Sequence, residues 1–136
     1  MLFSLVLRRL PGSCAILLLA CSLVDAVAAP SPLDTLRPPD RALKEGINCY
    51  RRGAFDSATV LLNKALRLAR AVTPAPDTLT LLRAYNNLGN VAADQGRKPQ
   101  ALAFYLQSLA LAEASHNRAN AAKTGNNIGT LYQNWN

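Results

Sequence analysis

A spaced pattern of small residues constrains the fold of this chain more than any other feature of its sequence. Glycine recurs at Gly46, Gly89 and Gly129, with separations of 43 and 40 residues. The first two of these glycines are followed, at equal distances, by a second glycine, an alanine and a leucine: Gly53 and Gly96, Ala58 and Ala101, Leu66 and Leu109. Matching offsets in two segments indicate an internal repeat, and repeats of this length are typical of solenoids.

The spacing of these small residues predicts pairs of antiparallel helices. A helix that contains Gly46 or Gly89 would end seven residues later at a turn glycine, because glycine adopts positive φ without steric strain. The chain would then reverse, and the second helix would bring Ala58 or Ala101 back against the first glycine. From Asp40 onwards apolar residues recur at helical spacing, without the alternation of a strand. We therefore expect an all-α fold, with Gly129 as the packing residue of a further helix.

The same pattern resembles that of the tetratricopeptide repeat, in a subclass whose period is longer than the usual one of about 34 residues. The string EGINCYRRGAFDSATVLLNKALRLA resembles one repeat, NNLGNVAADQGRKPQALAFYLQSLALA a second, and NNIGTLYQNWN the first helix of a third. The resemblance implies a right-handed solenoid of antiparallel hairpins with repeats at about 40–76, 82–117 and 122–136, the last incomplete. Long-period repeats of this kind occur in kinesin light chains and in exported bacterial signalling proteins.

The hydrophobic spacing places five helices near residues 40–52, 55–72, 78–95, 99–115 and 118–134. Asp77 and Thr78 are suited to cap the third helix, and Pro99 fits the first turn of the fourth. Two positions depart from the repeat pattern: Ser108 occupies the position of Ala65, and Lys98 that of Phe55.

The first 28 residues have the three parts of a secretory signal peptide: basic residues, an apolar run and small residues ending at Ala28. Cleavage after Ala28 is our first expectation, with lipidation at Cys21 and an uncleaved anchor as alternatives. Residues 29–39 are rich in proline and predict an extended linker, which leaves 40–136 as the repeat domain. The protein would be periplasmic or secreted, and it would attach to a membrane only if lipidated or uncleaved.

Composition argues against a disulfide-stabilised fold and against a nucleic-acid partner. Once a leader containing Cys14 and Cys21 is removed, Cys49 alone remains, and we expect it to be a buried apolar residue. The 15 basic and 8 acidic residues give a formal net charge of +7. Because the basic residues lie at helix-surface spacing without interleaved aromatic residues, they indicate a solvated surface.

Motifs for catalysis are absent from the sequence. His116 is the single histidine and has no partner at a defined offset, which indicates a histidine in a turn or at a helix end. Paired carboxylates, metal-spaced Cys and His sets and glycine-rich phosphate loops are also missing. We expect no enzymatic activity, no cofactor and no metal.

The resemblance also implies a binding surface, since the first helix of each repeat lines the concave face in this family. The candidate groove residues are Tyr50, Asn86, Asn90, Lys123, Asn126 and Thr130. Asparagine can pair with both polar groups of a peptide backbone, so a ladder of asparagines would hold a peptide with little sequence preference. The alternative is that the asparagines cap helices, bridge hairpins or face water, and we expect Asn87 and Asn127 to point towards a neighbouring hairpin.

Two functions follow from these features. The first is an exported, non-catalytic scaffold for a protein or peptide partner, and the alternative is the sensory fragment of a larger signalling protein such as a histidine kinase. In the last helix, Ile128, Leu131 and Tyr132, followed by Trp135, would pack on a following helix in a longer array. We expect them to be uncovered, which indicates either a truncated reading frame or self-association through this edge.

Overall fold

The computed structural model describes residues 36–135, and these residues form five α-helices without a strand. The helices are α1 (Pro38–Arg51), α2 (Phe55–Arg70), α3 (Thr78–Asp94), α4 (Lys98–Ala114) and α5 (Arg118–Gln133). Their ends differ from the predicted ends by no more than two residues, and the all-α prediction is confirmed. The predicted signal peptide, Cys21 with its possible lipid, and the linker up to residue 35 lie outside the described residues.

Helix α1 begins two residues earlier than the sequence predicted, because Pro38 and Pro39 occupy its first turn. Proline suits this position, where the missing N–H would have had no intrahelical acceptor. The last two residues of the linker predicted for residues 29–39 therefore belong to α1, which begins at Pro38. Pro99 has the same role in the first turn of α4.

Helix α3 begins at a capping aspartate, as predicted. Asp77 Oδ1 accepts the Thr80 N–H at 3.1 Å, and Asp77 Oδ2 accepts from the Thr80 hydroxyl at 2.9 Å and from the Arg37 guanidinium at 2.7 Å. Burial alone would raise the pKa of Asp77, but the hydrogen bonds from Thr80 and the charge of Arg37 outweigh it and hold the pKa below its ordinary value. These contacts connect the start of the second hairpin, formed by α3 and α4, to the start of the first hairpin, formed by α1 and α2.

Three of the four connections share one turn geometry. Each has a residue with positive φ, which is 74° at Gly53, 73° at Gly96 and 54° at His116. The N–H of that residue bonds to the carbonyl three residues before it, and the next N–H bonds to the carbonyl five residues before it. These bonds satisfy carbonyls at the end of the preceding helix. His116 is therefore a turn residue, at a position where glycine stands in the other two turns.

Gly46 and Gly89 permit close packing within their hairpins, although against other residues than expected, whereas Gly129 is not the expected packing residue, because a Cβ there would have no atom within 4 Å. A Cβ at Gly46 would lie 2.9 Å from Leu62 Cγ, and a Cβ at Gly89 would overlap the ring of Tyr105. The expected partners, Ala58 and Ala101, lie one helical turn earlier on the second helices. They are fully buried in the core all the same. The expected pairing of glycine with alanine is wrong because each glycine leaves space for a large side chain, Leu62 or Tyr105.

The hairpins stack mainly through the second helix of one and the first helix of the next, and their first helices also approach each other. Each helix packs against the next along the chain, and in addition α1 contacts α3, and α3 contacts α5. Within residues 36–135 no Cα of α2 lies within 8 Å of a Cα of α4. A stack whose first helices approach while its second helices diverge is curved, with the first helices on the concave side.

Helix α5 packs on the second hairpin through part of its apolar face. Leu131 is buried, and Ile128 packs beside it against a cluster that contains Ala92, Ala101 and Tyr105. The expectation that these two residues are uncovered is therefore wrong, because the preceding hairpin covers them. Tyr132 is 57% exposed and stacks on Trp135. No helix within residues 36–135 has the length and apolar character to cross a bilayer.

Candidate functional site

Three adjoining cavities run across the first helices of the stack, and together they are called the groove here. The first cavity, about 400 Å³, is lined by Leu36, Asp40, Leu43, Lys44, Ile47, Asn48, Arg51 and Arg83. The central cavity, about 270 Å³, is lined by Ile47, Tyr50, Arg51, Arg83, Asn86, Asn87, Asn90, Asn120 and Lys123. The third cavity, about 340 Å³, is lined by Tyr50, Asn90, Ala93, Asp94, Lys98, Tyr105, Asn127, Thr130, Leu131 and Asn134. Shared lining residues make the three cavities one continuous surface.

Helical periodicity explains how the central cavity is assembled. Residues three and four apart lie on the same face of a helix. Arg83, Asn86, Asn87 and Asn90 therefore form a row along α3, which lies between α1 and α5. The neighbouring helices add shorter rows of the same spacing, Ile47 with Tyr50 and Arg51 on α1, and Asn120 with Lys123 on α5.

Amide side chains join the second hairpin to α5 beneath this surface. Asn86 Nδ2 donates to Thr124 Oγ1 at 3.0 Å, and Asn127 Nδ2 donates to the side-chain oxygens of Asn86 at 3.3 Å and Asn90 at 3.2 Å. Asn90 Oδ1 also accepts from the Tyr105 hydroxyl at 2.9 Å. Because Asn86 is 4% exposed, its amide acts mainly as a bridge between hairpins.

A buried serine extends this bridge into the core. Ser108 is fully buried on α4, and its hydroxyl donates to the Leu82 carbonyl at 2.8 Å and lies 3.2 Å from Thr124 Oγ1. Serine in place of alanine at this repeat position therefore adds polar contacts between α4 and the neighbouring helices α3 and α5. The polar seam, defined as Asn86, Asn90, Ser108, Thr124 and Asn127, holds α5 on the second hairpin.

The central cavity is basic. It is lined by Arg51, Arg83 and Lys123 and by no carboxylate. All three side chains are exposed, and within residues 36–135 none of them has a hydrogen bond or ion pair through its charged group. The cavity therefore presents positive charge that its own walls do not neutralise.

The family of this chain follows from its sequence together with this architecture. A family model described as the tetratricopeptide repeat matches residues 41–114, which span α1 to α4. The chain belongs to the tetratricopeptide repeat family. No curated protein and no solved structure matches it. Tetratricopeptide repeats generally mediate protein–protein interactions.

This tetratricopeptide repeat protein brings four of the six predicted groove residues together: Tyr50, Asn86, Asn90 and Lys123 all line the central cavity. Thr130 lines the third cavity. Asn126 is exposed, lines none of the three cavities, and accepts the Thr130 hydroxyl through its backbone carbonyl. An asparagine ladder of Asn86, Asn90 and Asn126 is therefore not formed, because Asn86 is engaged by α5 while Asn126 projects beyond the groove.

Among the polar residues that line the central cavity, the sequence reasoning missed Arg51, Arg83, Asn87 and Asn120. Arg83 could have been predicted, because it lies six residues before Gly89 and the predicted groove residue Lys123 lies six residues before Gly129. Asn87 was expected to point at a neighbouring hairpin. Its amide instead donates to the Arg83 carbonyl of its own helix at 2.7 Å, so Asn87 also contributes to the cavity wall.

The thiol of Cys49 lines none of the three cavities. Cys49 is a buried free thiol, and Arg52 Nη2 lies 3.5 Å from its sulfur. Residues 36–135 contain no group of three or more His, Cys, Asp and Glu side chains that could hold a metal ion.

Proposed function

We propose that this protein is a non-catalytic scaffold that binds a peptide, or an extended segment of a protein, in the groove. The observation that carries the proposal is the continuity of the three cavities across α1, α3 and α5. An extended chain advances about 3.3 Å per residue and directs alternate side chains to one face, so a short segment could place several side chains in adjoining cavities.

The chemistry of the lining supports binding more than catalysis. Amides, guanidinium groups and a phenol are donors and acceptors that orient a ligand, and residues of this kind commonly fix a partner in a cleft. Asn90 Nδ2 has no hydrogen bond within residues 36–135, although its oxygen has two donors. That amide is therefore positioned to donate to a backbone carbonyl of a bound segment.

The test is selection of random peptides of about 12 residues on the full chain, followed by mapping of the backbone amide shifts by NMR. We expect the selected peptides to shift amides of residues 47–51, 83–90 and 120–123. Failure to select any peptide, or shifts confined to the outer helices α2 and α4, would contradict the proposal.

A matched pair of substitutions adds a control. Lys123→Trp would fill the central cavity and weaken binding of the selected peptides. Lys64→Trp changes the same residue type at an exposed position of α2 and should leave binding unchanged. Equal loss in both variants would point to a general effect of charge or solubility.

We propose in addition that residues 1–28 direct export of the scaffold and are removed after Ala28. The support is the order of basic, apolar and small residues in that segment. Intact-mass measurement of the exported protein should give a chain that begins at Ala29. A mass that corresponds to an acylated chain beginning at Cys21 would overturn cleavage at Ala28 in favour of lipidation.

A further inference from the structure

The three cations of the central cavity come from three different helices. Arg51 lies in the last turn of α1, Arg83 in the first half of α3, and Lys123 in the second turn of α5. Since α3 lies between α1 and α5, these charges surround one cavity and do not follow a single helix surface. Their arrangement therefore depends on the stacking of the hairpins.

The carboxylates that line the two adjoining cavities already have hydrogen-bond donors within the protein. Asp94 of the third cavity accepts the Tyr50 hydroxyl at 2.8 Å. Asp40 of the first cavity accepts from Arg37 at 2.8 Å, and its Oδ1 lies 3.1 Å from the Thr80 hydroxyl oxygen. Neither carboxylate is paired with a cation of the central cavity, so the positive charge there remains available to a ligand.

The first cavity adds an apolar wall next to the cations. Leu43 and Ile47 line it, and it shares Ile47, Arg51 and Arg83 with the central cavity. Exposed Lys44 lies at its rim. An aliphatic side chain could therefore lie on Leu43 and Ile47 while its neighbours along an extended ligand reach the guanidinium groups.

We propose that the groove selects acidic peptide segments, in which side-chain carboxylates occupy the central cavity beside Arg51, Arg83 and Lys123 and an aliphatic residue occupies the first cavity. This inference rests on the proposed function, which it deepens by naming the partner's chemistry. The guanidinium fork matches the two oxygens of a carboxylate, and lysine adds a point charge. Amides of the lining supply further donors for the same oxygens.

The test begins with the composition of the peptides selected on the full chain, which we expect to be enriched in Asp and Glu. A defined probe, the amidated peptide GLEEDEEG with a fluorophore on its N-terminus, is then compared with its equally labelled neutral analogue GLQQNQQG by fluorescence anisotropy. We expect the acidic probe to bind at least about ten-fold more tightly and to lose affinity as salt is added, because contacts between exposed charges are screened.

Charge-removing variants connect this preference to the cavity. Each of Arg51→Gln, Arg83→Gln and Lys123→Gln should weaken binding of the acidic probe about three-fold, and the triple variant about 30-fold. The control triple Lys64→Gln, Arg67→Gln and Arg118→Gln removes the same net charge outside the groove. It should stay within about two-fold of the unaltered chain, and helical circular dichroism of both triples would exclude unfolding.

The outcomes separate this inference from the proposed function. If no peptide is selected at all, both fail. If selected peptides shift the groove amides but are neutral, or bind the Arg51, Arg83 and Lys123 triple variant normally, only the acidic preference is overturned. Binding of GLQQNQQG with a free C-terminus as tightly as the acidic probe would also overturn it, since a terminal carboxylate would then be recognised. Preference for a phosphoserine analogue with no binding of the carboxylate probe would do the same.

Discussion

The phenolic hydroxyl of Tyr50 on α1 donates a 2.8 Å hydrogen bond to Asp94 Oδ2 on α3, and so connects the first hairpin to the second across the concave side. Tyr50→Phe keeps the ring in place and removes only this bond. We expect a loss of about 1 kcal/mol in the free energy of unfolding, measured by urea denaturation. Tyr132→Phe is the matched control, because Tyr132 is largely exposed and should tolerate the change.

The same bond predicts that stability falls in strongly alkaline solution. Burial, the hydrogen bond to Asp94 and the charge of Asp94 raise the pKa of Tyr50 from 10.0 to about 12. Burial, with smaller effects of Tyr50 and Asp94, raises the pKa of Tyr105 to about 12 as well. Because the folded state holds these protons more tightly, the stabilisation is complete below pH 10 and is lost as pH rises towards 12. Urea midpoints across this range should fall less steeply in Tyr50→Phe, and an equal slope would contradict the assignment to Tyr50.

Two glycines at the same repeat position should respond oppositely to alanine. A Cβ at Gly89 would overlap the Tyr105 ring, whereas a Cβ at Gly129 would have no atom within 4 Å. We expect Gly89→Ala to destabilise the fold by about 1–3 kcal/mol, since the buried ring has little room to shift. Gly129→Ala should stabilise α5 by up to about 1 kcal/mol because alanine is the better helix former. Thermal unfolding would test both, and a melting temperature raised by Gly89→Ala would refute this account of the close approach.

His116 occupies a backbone conformation that costs a side-chain-bearing residue free energy. Its φ is 54°, in a turn whose counterparts elsewhere in the chain are glycines. His116→Gly should therefore stabilise the protein, by about 0.5–1 kcal/mol, because glycine relieves the strain at the end of α4. His116→Ala retains a Cβ and is the control, for which we expect no comparable gain. Similar stabilities of the two variants would show that the strain is negligible.

The buried hydroxyl of Ser108 should contribute measurably to the free energy of unfolding. Ser108→Ala removes the donor to the Leu82 carbonyl and the contact with Thr124, so we expect a loss of about 1–2 kcal/mol in the free energy of unfolding. Ser57→Ala, at an exposed position of α2, should change stability by less than about 0.5 kcal/mol. If the two losses were equal, the polar seam would contribute nothing specific through Ser108.

The helices and their pairing could be predicted from the sequence because the repeat pattern indicates both. Turn glycines mark the helix ends within each hairpin, and apolar spacing marks the buried faces. Packing partners were less predictable: the repeat aligned Gly89 with Ala101, yet Tyr105 fills the space against that glycine. A spacing of small residues shows that two helices approach closely, but it does not show which large side chain enters the gap.

The candidate site was predictable only in part, because burial at a given repeat position depends on the neighbouring hairpin. Leu43, Asn86 and Asn126 each lie three residues before a repeat glycine. Leu43 is buried in the first core, Asn86 is buried against α5, and Asn126 is exposed. Their equivalence in sequence suggested a ladder that the structure does not form. Arg83, by contrast, could have been found from its equivalence to Lys123.

The longer connection between α2 and α3 has a practical consequence. Ala71 to Pro76 depart from the shared turn geometry, and residues 73–76 are exposed. Extra chain there would lengthen a surface segment while leaving the helix-to-helix contacts unaltered, whereas an insertion at Gly53 or Gly96 would break a tight reversal. Residues 73–76 line none of the three cavities, so they are the place at which a fluorophore-bearing tag or a second module could be inserted to follow partner capture.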